Sequence, residues 1–313
     1  MSEIILADPL PPLFDEVSSG QFTVKSLDSA PDADLQQATG IVSYGHDIID
    51  GEVMDRCPRL RVVSNHGVGV DHIDVAAAAR RGVAVGNTPG CLDSSTADMT
   101  MALMLSVARN VVVGDHFSRS AEFTHYDPAI YVGQEVTGST LGIVGMGRIG
   151  TEVAKRAKAF EMRVLYFNRN RRPEIEESVG VEFASFDSLL SESDFVSFSC
   201  PLTDQTHRMI GAQQFKQMKS SCILINVARG GIVQTDALLD ALTSGEIAAA
   251  GLDVTDPEPL PRDHPLLKLN NVIITPHLGS ASNHTRRQMM QMTVDNLAAG
   301  VEGRELPTSV SAS

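Results

Sequence analysis

The sequence predicts an α/β protein of two units, each built on a parallel sheet. Three observations carry that prediction. Short apolar runs of strand length alternate with helical patterns along almost all of the 313 residues, the signature of strand–helix layering. The alternation is interrupted once, after Gly90, by a long helical stretch, and then begins again. One run, "LGIVGMGRIG", leads straight into a glycine-rich turn and a helix, a unit typical of parallel sheets with right-handed crossovers. The length is ample for two domains, each burying its own core.

In the N-terminal third, "EIILAD", "GIVSYG", "RVVSNHG" and "VAVGNT" are candidate strands, and the helical pattern "VAAAARRG" separates the last two. After "NTPG" one helix is expected from Ser95 to Phe117. Met, Leu and Val fall on most of its faces, so it should be buried, at a domain or subunit contact. The second unit opens with "LGIVGMG" and continues through "RVLYFN", "DFVSFSC", "CILINVARG", "AAAGLDV" and "NVIITPH". Helical segments, among them "EVAKRAKAF" and "TDALLDALTSG", fall between most of these, as parallel strands require. A final helix, Thr285 to Gly300, follows the last strand. The first unit lacks a closing element, so this helix is expected to return to it. The domains expected are residues 1–104 plus 285–313, and residues 105–284.

Bulk properties exclude several classes. With 25 Lys and Arg against 39 Asp and Glu the formal charge is −14, and an acidic surface repels a phosphate backbone, so no nucleic-acid partner is expected. The longest apolar runs are strand-sized, and the chain does not open with a basic stretch followed by an apolar core. Neither a membrane span nor a secretion signal is therefore expected. Cys57, Cys91, Cys200 and Cys222 are far apart and form no C-x-x-C pair. They read as reduced thiols of a cytoplasmic protein, with no metal site.

Gly145-Met146-Gly147-Arg148-Ile149-Gly150 lies between an apolar strand and an amphipathic helix, the context in which G-x-G-x-x-G cradles a dinucleotide. Gly145 allows the tight turn, Gly147 lets backbone approach the pyrophosphate, and Gly150 permits close helix–strand packing. About twenty residues on, such a cradle usually places an acid against the ribose 2′-OH. Here the chain reads Asn168-Arg169-Asn170. A carboxylate facing a 2′-phosphate would be repelled by roughly 4 kcal/mol at about 4 Å and a dielectric near 20. Its absence, and a guanidinium that can bind phosphate oxygens in pairs, predict a preference for NADP(H), with NAD(H) possible. Arg171 and Arg172 are expected on a solvated loop face.

Three motifs sit at or just beyond the C-terminal ends of expected strands, where parallel sheets bind ligands. They are "NVARGG" with Arg229, "GLDVTDPEP" with Asp253 and Glu258, and "ITPHLGSAS" with His277. An imidazole, a carboxylate and a guanidinium beside a nicotinamide site suit carbonyl reduction: the ketone oxygen needs a proton donor, and a 2-keto acid needs a cation for its carboxylate.

Taken in order, "GMGRIG", "CPLT", "NVARGG", "LDV", "PEP" and "TPHLGS" resemble the D-isomer-specific 2-hydroxyacid dehydrogenases over nearly the whole chain. Within that family, "LDVTDPEPLPRDHPLL" resembles the glyoxylate/hydroxypyruvate reductases most. The resemblance implies two Rossmann-like domains, the first flavodoxin-like, with the active site in the interdomain cleft, and a homodimer. It implies that Arg229 binds the substrate carboxylate, that His277 is the acid in reduction, and that Glu258 hydrogen-bonds His277 and favours its charged form. It assigns Asp253 to the nicotinamide carboxamide, Thr206 to the cofactor phosphates, and Val227 and Gly279 to backbone contacts with the cofactor. The N–H groups of Val68 and Gly69, in "NHGVGVDHID", would cradle the substrate carboxylate. Thr96 is a weaker nicotinamide-side candidate, and His66 and His72 read as loop or packing residues.

The chain departs from the family in one place. Relatives often carry Arg-Ser-Gly-x-Trp near the dimer helix, whereas this chain has Arg119-Ser120-Ala121-Glu122-Phe123 and no tryptophan. Phe123, Tyr126 or Tyr131 would have to replace it. Two rival readings stand beside the reductase: a formate or phosphite dehydrogenase, and a dinucleotide-sensing binding protein like the corepressors of this fold. Formate enzymes pair the histidine with Gln, which Glu258 opposes; phosphite enzymes keep the Glu.

Overall fold

Strands buried on both faces need side chains that are apolar without alternation, and the apolar runs of this chain fold accordingly. The computed structural model describes residues 3–45 and 47–311. It divides into two units at Leu92/Asp93 and Ala281/Ser282. In the first unit the strands are β1 (Glu3–Ala7), β2 (Phe22–Ser26), β3 (Gly40–Ser43), β4 (Val62–Asn65) and β5 (Ala84–Gly86). They are ordered β2-β1-β3-β4-β5 and all parallel, the flavodoxin-like order.

The second unit holds β6 (Thr140–Val144), β7 (Arg163–Phe167), β8 (Glu182–Phe183), β9 (Phe195–Phe198), β10 (Ile223–Asn226), β11 (Ala249–Leu252) and β12 (Val272–Ile274). Their order is β12-β11-β10-β9-β6-β7-β8, again parallel. The chain leaves β6 in one direction for β7 and β8 and then crosses back to β9. The crevice between the carboxyl ends of β6 and β9 is therefore the switch point of this sheet, where open α/β sheets bind their ligands.

All ten expected strands form. β2 and β8 were not expected. The sequence "FTVKS" of β2 mixes polar with apolar residues because it is a half-buried edge, and β8 is an exposed pair of residues. The single helix expected from Ser95 to Phe117 is two helices, Asp93–Ala108 and Val111–Ser118, bent by 59°. The break falls at Asn110, which is left-handed at φ 53°, a conformation Asn tolerates better than most residues. Only the first of the two is buried as expected; Val111–Ser118 has no buried residue. No single helix among the described residues is long and apolar enough to cross a membrane.

Because successive side chains on a strand face opposite ways, each sheet has two cores. In the first unit Leu6, Ile41 and Val63 pack on one side, and Ile5, Val42 and Val62 on the other. The second face is closed by Met290, Val294 and Leu297 of the helix Asn283–Val301, so the final helix does return to the first sheet. Its approach depends on Gly300, where a Cβ would lie 2.4 Å from Val62 Cβ. In the second unit Leu141, Tyr166 and Ile225 pack with Met104 and Val107 of the helix Asp93–Ala108. Leu165, Phe198 and Leu224 form the opposite core with Leu238 and Leu242. The packing of the helix Asp93–Ala108 explains why the first boundary falls at residue 92 rather than 104: it is one rigid helix seated whole on the second sheet. Cys57 and Cys222 are buried in these cores, and Cys91 and Cys200 are half-buried.

One buried polar residue of the first core has a consequence for stability. The Thr293 hydroxyl donates to the Met289 carbonyl at 2.8 Å, so at 3.1 Å it accepts from His66 Nδ1–H. The other ring nitrogen, Nε2, is buried with no partner among the described residues. Protonating it would bury an unmatched charge, and burial, helped by Arg286, pulls His66 from 6.5 down to about 4. The unfolded chain therefore takes up a proton near pH 6.5 that the folded chain refuses until near pH 4. Above pH 6.5 the residue contributes nothing; as pH falls from 6.5 to 4 it destabilises the fold progressively, by about 3 kcal/mol at the lower limit. Urea unfolding across this window should show a steeper loss in the wild type than in His66→Gln, and equal slopes would remove this histidine from the account.

Candidate active site

The turn after β6 is shaped by three glycines for different reasons. Gly145 is left-handed at φ 102°, and a Cβ there would lie 2.6 Å from the Cys200 nitrogen on the loop leaving β9. A Cβ on Gly150 would lie 2.1 Å from the Gly145 carbonyl oxygen. Packing therefore requires glycine at both positions. Gly147 is another matter: its φ of −84° suits any residue, and a Cβ would meet nothing within 4 Å. This open space lies at the N-terminus of the 12-residue helix Arg148–Ala159, where unpaired N–H groups and the helix dipole favour an anion. The residues fit a dinucleotide pyrophosphate pressed against the backbone. Ile149 packs on the core behind the turn, and Arg148 reaches Asp93 at 3.2 Å. Burial raises the Asp93 carboxyl above its usual range.

At the end of β7 the loop 168–172 is held by its neighbours. The Tyr166 hydroxyl donates to Glu176 at 2.6 Å and accepts from Arg172 N at 2.7 Å. Arg171 makes a two-pronged contact with Glu176, at 2.8 and 2.6 Å, and these partners hold the Glu176 carboxyl down at about 2. Arg172 pairs with Glu174 and also donates to the Met146 carbonyl at 3.2 Å, tying this loop to the glycine turn. The expected solvated face is thus a set of ion pairs. Asn168 donates to Asn170 O at 2.9 Å, and exposed Arg169 makes no hydrogen bond or ion pair among the described residues.

β10, β11 and β12 are consecutive in the sheet, so the loops carrying Arg229, Glu258 and His277 leave the same edge side by side. Asn226, fully buried, folds the first loop: its Oδ1 accepts from Ala228 N at 3.1 Å and its Nδ2 donates to Arg229 O at 2.9 Å. The next residue, Gly230, touches the second loop so closely that a Cβ would lie 2.0 Å from the Thr255 carbonyl oxygen. On that second loop Glu258 Oε2 accepts from Thr255 N at 3.1 Å, and Oε1 lies 2.7 Å from His277 Nδ1. Both side chains are about one-third exposed, 33% and 32%.

The turn carrying His277 is organised by Asp253, which is 1% exposed. Its Oδ1 accepts from the Thr275 hydroxyl at 2.6 Å and Leu278 N at 2.7 Å, and its Oδ2 from Gly279 N at 2.7 Å. His277 N also donates to the Asp253 carbonyl at 3.0 Å. These bonds hold His277 in the left-handed region, at φ 55°, which costs a non-glycine residue about 1 kcal/mol.

The remaining candidates divide. Val227 is buried at the end of β10, and Gly279 lies 3.4 Å, by its virtual Cβ, from Thr96. Thr206 uses its hydroxyl on its own loop, donating to Pro201 O at 2.7 Å and accepting from Thr203 N at 2.8 Å. Val68 and Gly69 belong to the first unit, on the loop after β4, and His72 on the same loop contacts Ser43 at 2.8 Å. Sequence reasoning missed Asn226, Thr255 and Thr275. Asn226 was findable, since an Asn at a strand end folds the backbone after it into an Asx-turn.

Comparison with known proteins places this geometry. A family model described as D-isomer specific 2-hydroxyacid dehydrogenase, NAD binding domain, matches residues 101–279. A glyoxylate reductase of Korarchaeum cryptofilum is 47% identical over 278 residues, covering 88% of this chain and 84% of that protein. An NADPH-dependent glyoxylate/hydroxypyruvate reductase of Sinorhizobium meliloti, solved with NADP and malonate, aligns at a TM-score of 0.89 and 32% identity, over 99% of this chain and 96% of that one. A D-lactate dehydrogenase of Aquifex aeolicus, solved with NAD and lactic acid, aligns at a TM-score of 0.89 and 28% identity, over 99% and 100%.

The two kinds of glycine can be separated by experiment. Gly147→Ala should leave the melting temperature within about 2 °C of wild type and weaken dinucleotide binding at least tenfold in a fluorescence titration. Gly150→Ala should lower the melting temperature first, by several degrees, because its methyl group meets backbone. Unimpaired binding in Gly147→Ala would show that the open space is not the pyrophosphate's.

Proposed function

The chain belongs to the D-isomer-specific 2-hydroxyacid dehydrogenase family, and on that footing we propose that it is an NADPH-preferring reductase of small 2-keto acids, glyoxylate and hydroxypyruvate foremost. The observation that carries the catalytic part is the 2.7 Å contact of His277 with Glu258 on the sheet edge that also bears Arg229. The substrate part is supported by the reductases named above, which act on glyoxylate and hydroxypyruvate.

Bound nicotinamide supplies the hydride; the protein's own groups do the rest. With Nδ1 held by Glu258, the imidazole delivers its proton from Nε2 to the keto oxygen. Arg229 pairs with the substrate carboxylate and polarises the carbonyl. The N–H groups of Val68 and Gly69 take the carboxylate oxygens. Asp253 keeps the histidine turn in place and offers the carboxamide its remaining acceptor capacity. The exposed apolar side chains of Val111–Ser118, Val111 being 52% exposed, support a homodimer contact.

Two features support the NADPH preference. The loop 168–172 itself carries no carboxylate, and Arg169 is the one cation of 169–172 that the described residues leave uncommitted. Initial rates with glyoxylate, hydroxypyruvate, pyruvate and phenylpyruvate, each with NADPH and NADH, test the reading. NADPH should be favoured, and Arg169→Ala should raise its KM about tenfold or more while leaving that for NADH nearly unchanged, a difference of about 1.4 kcal/mol. A wild type that prefers NADH sinks the cofactor assignment.

A further inference from the structure

The loop after β4 has an unusual distribution of hydrogen bonds. The carbonyl oxygens of Gly67 and Gly69 both accept from Asn65 Nδ2, at 3.0 and 2.9 Å. The Val68 carbonyl accepts from Asn87 Nδ2 at 2.8 Å, and Thr88 N adds a bond to Gly67 O at 3.0 Å. Three successive carbonyls are thus each engaged by a side-chain or backbone donor. In a planar trans peptide the carbonyl and the following N–H point in opposite directions. The N–H groups of Val68 and Val70 are therefore turned away from Asn65, and that of Gly69 from Asn87. All three residues are half-buried, and none of these N–H groups donates to a protein acceptor among the described residues.

Buried or half-buried backbone donors rarely go without a partner, and successive N–H groups converging from one loop form a nest for an anion. We propose that Asn65 and Asn87 are positioning residues: they clamp the loop carbonyls so that Val68, Gly69 and Val70 present three N–H groups to the carboxylate of the 2-keto acid. This inference rests on the substrate reading above and adds to it the third donor and the clamp.

The clamp is itself braced. Asn65 is only 2% exposed. Asn87 is held by its own backbone, whose carbonyl accepts from Asn296 Nδ2 at 3.1 Å and the Thr308 hydroxyl at 2.7 Å, and whose N–H donates to Thr308 O at 3.2 Å. The residue type follows from the task. Only a side chain with two donors can hold Gly67 and Gly69 at once, and Asp in either position would face carbonyl oxygens with no proton to give.

The clamp acts on ground state and transition state alike, because the carboxylate does not change during reduction. Losing it should raise KM with little change in kcat. The experiment compares Asn65→Asp, Asn87→Asp and Asn87→Ala with the wild type. It measures glyoxylate kinetics at saturating NADPH, inhibition by oxamate, NADPH binding by fluorescence, and folding by thermal melts. Folded variants should show a glyoxylate KM and an oxamate inhibition constant raised together by about tenfold, kcat within about threefold, and an NADPH dissociation constant within about twofold. Asn87→Ala, at a half-buried position, keeps the test open if the buried Asn65 variant does not fold. Unchanged KM and oxamate inhibition in a folded variant of Asn87 would overturn the clamp alone. A wild type that reduces no 2-keto acid would overturn the substrate reading, and the clamp with it.

Discussion

The sheet edge of the second unit is organised by one buried carboxylate. Asp253 sits at the end of β11 and receives three donors from the segment that follows β12. Bonds to an ionised acceptor are among the strongest a protein makes, and here they span two strands. They fix Thr275, Leu278 and Gly279 on either side of His277, whose left-handed backbone would otherwise relax. The imidazole is aimed by the backbone beneath it before Glu258 touches its ring. A side chain on a turn is then as well placed as one on a strand.

The same economy runs along the whole sheet edge. Its loops leave strands with an apolar core on both faces, and two pairs of them meet at a glycine that tolerates no extra atom. Gly145 lies against the Ser199–Cys200 backbone and Gly230 against Thr255. The glycine turn is tied to the loop after β7 through Arg172 and the Met146 carbonyl. These contacts join the loops after β6, β7 and β9 into one group and those after β10 and β11 into another, each backed by a close-packed interior. Gly147 is the exception, open where its neighbours are crowded.

Much of this was legible in the sequence. Ten strands announced themselves by apolar runs, and Arg229, Glu258 and His277 by their position just past three of them. Polar groups with distant partners did not. β2 was missed because an edge strand needs no continuous apolar pattern. The helix break at Asn110 was missed because the residues on both sides, Val and Ala among them, read as one apolar helix. Arg171 and Arg172 do lie on a solvated face, but nothing local in "NRNRR" signals that the following helix returns Glu174 and Glu176 to them as ion-pair partners.

By itself, then, the sequence determined the layered α/β class, the two sheets, the glycine turn and the residue types at the site, because periodicity, turn chemistry and motif spacing are local properties of the chain. Only the tertiary structure decided which cations are committed and which is not, which ring nitrogen of His66 is bare, and which way the peptides of Gly67–Val70 face. Each of these is a choice of hydrogen-bond partner, and the partners are often residues far apart in the chain: Thr293 for His66, Asn87 for Val68, Asp253 for the turn of His277. Such pairings exist only after packing has brought the strands together, so no window on the sequence contains them.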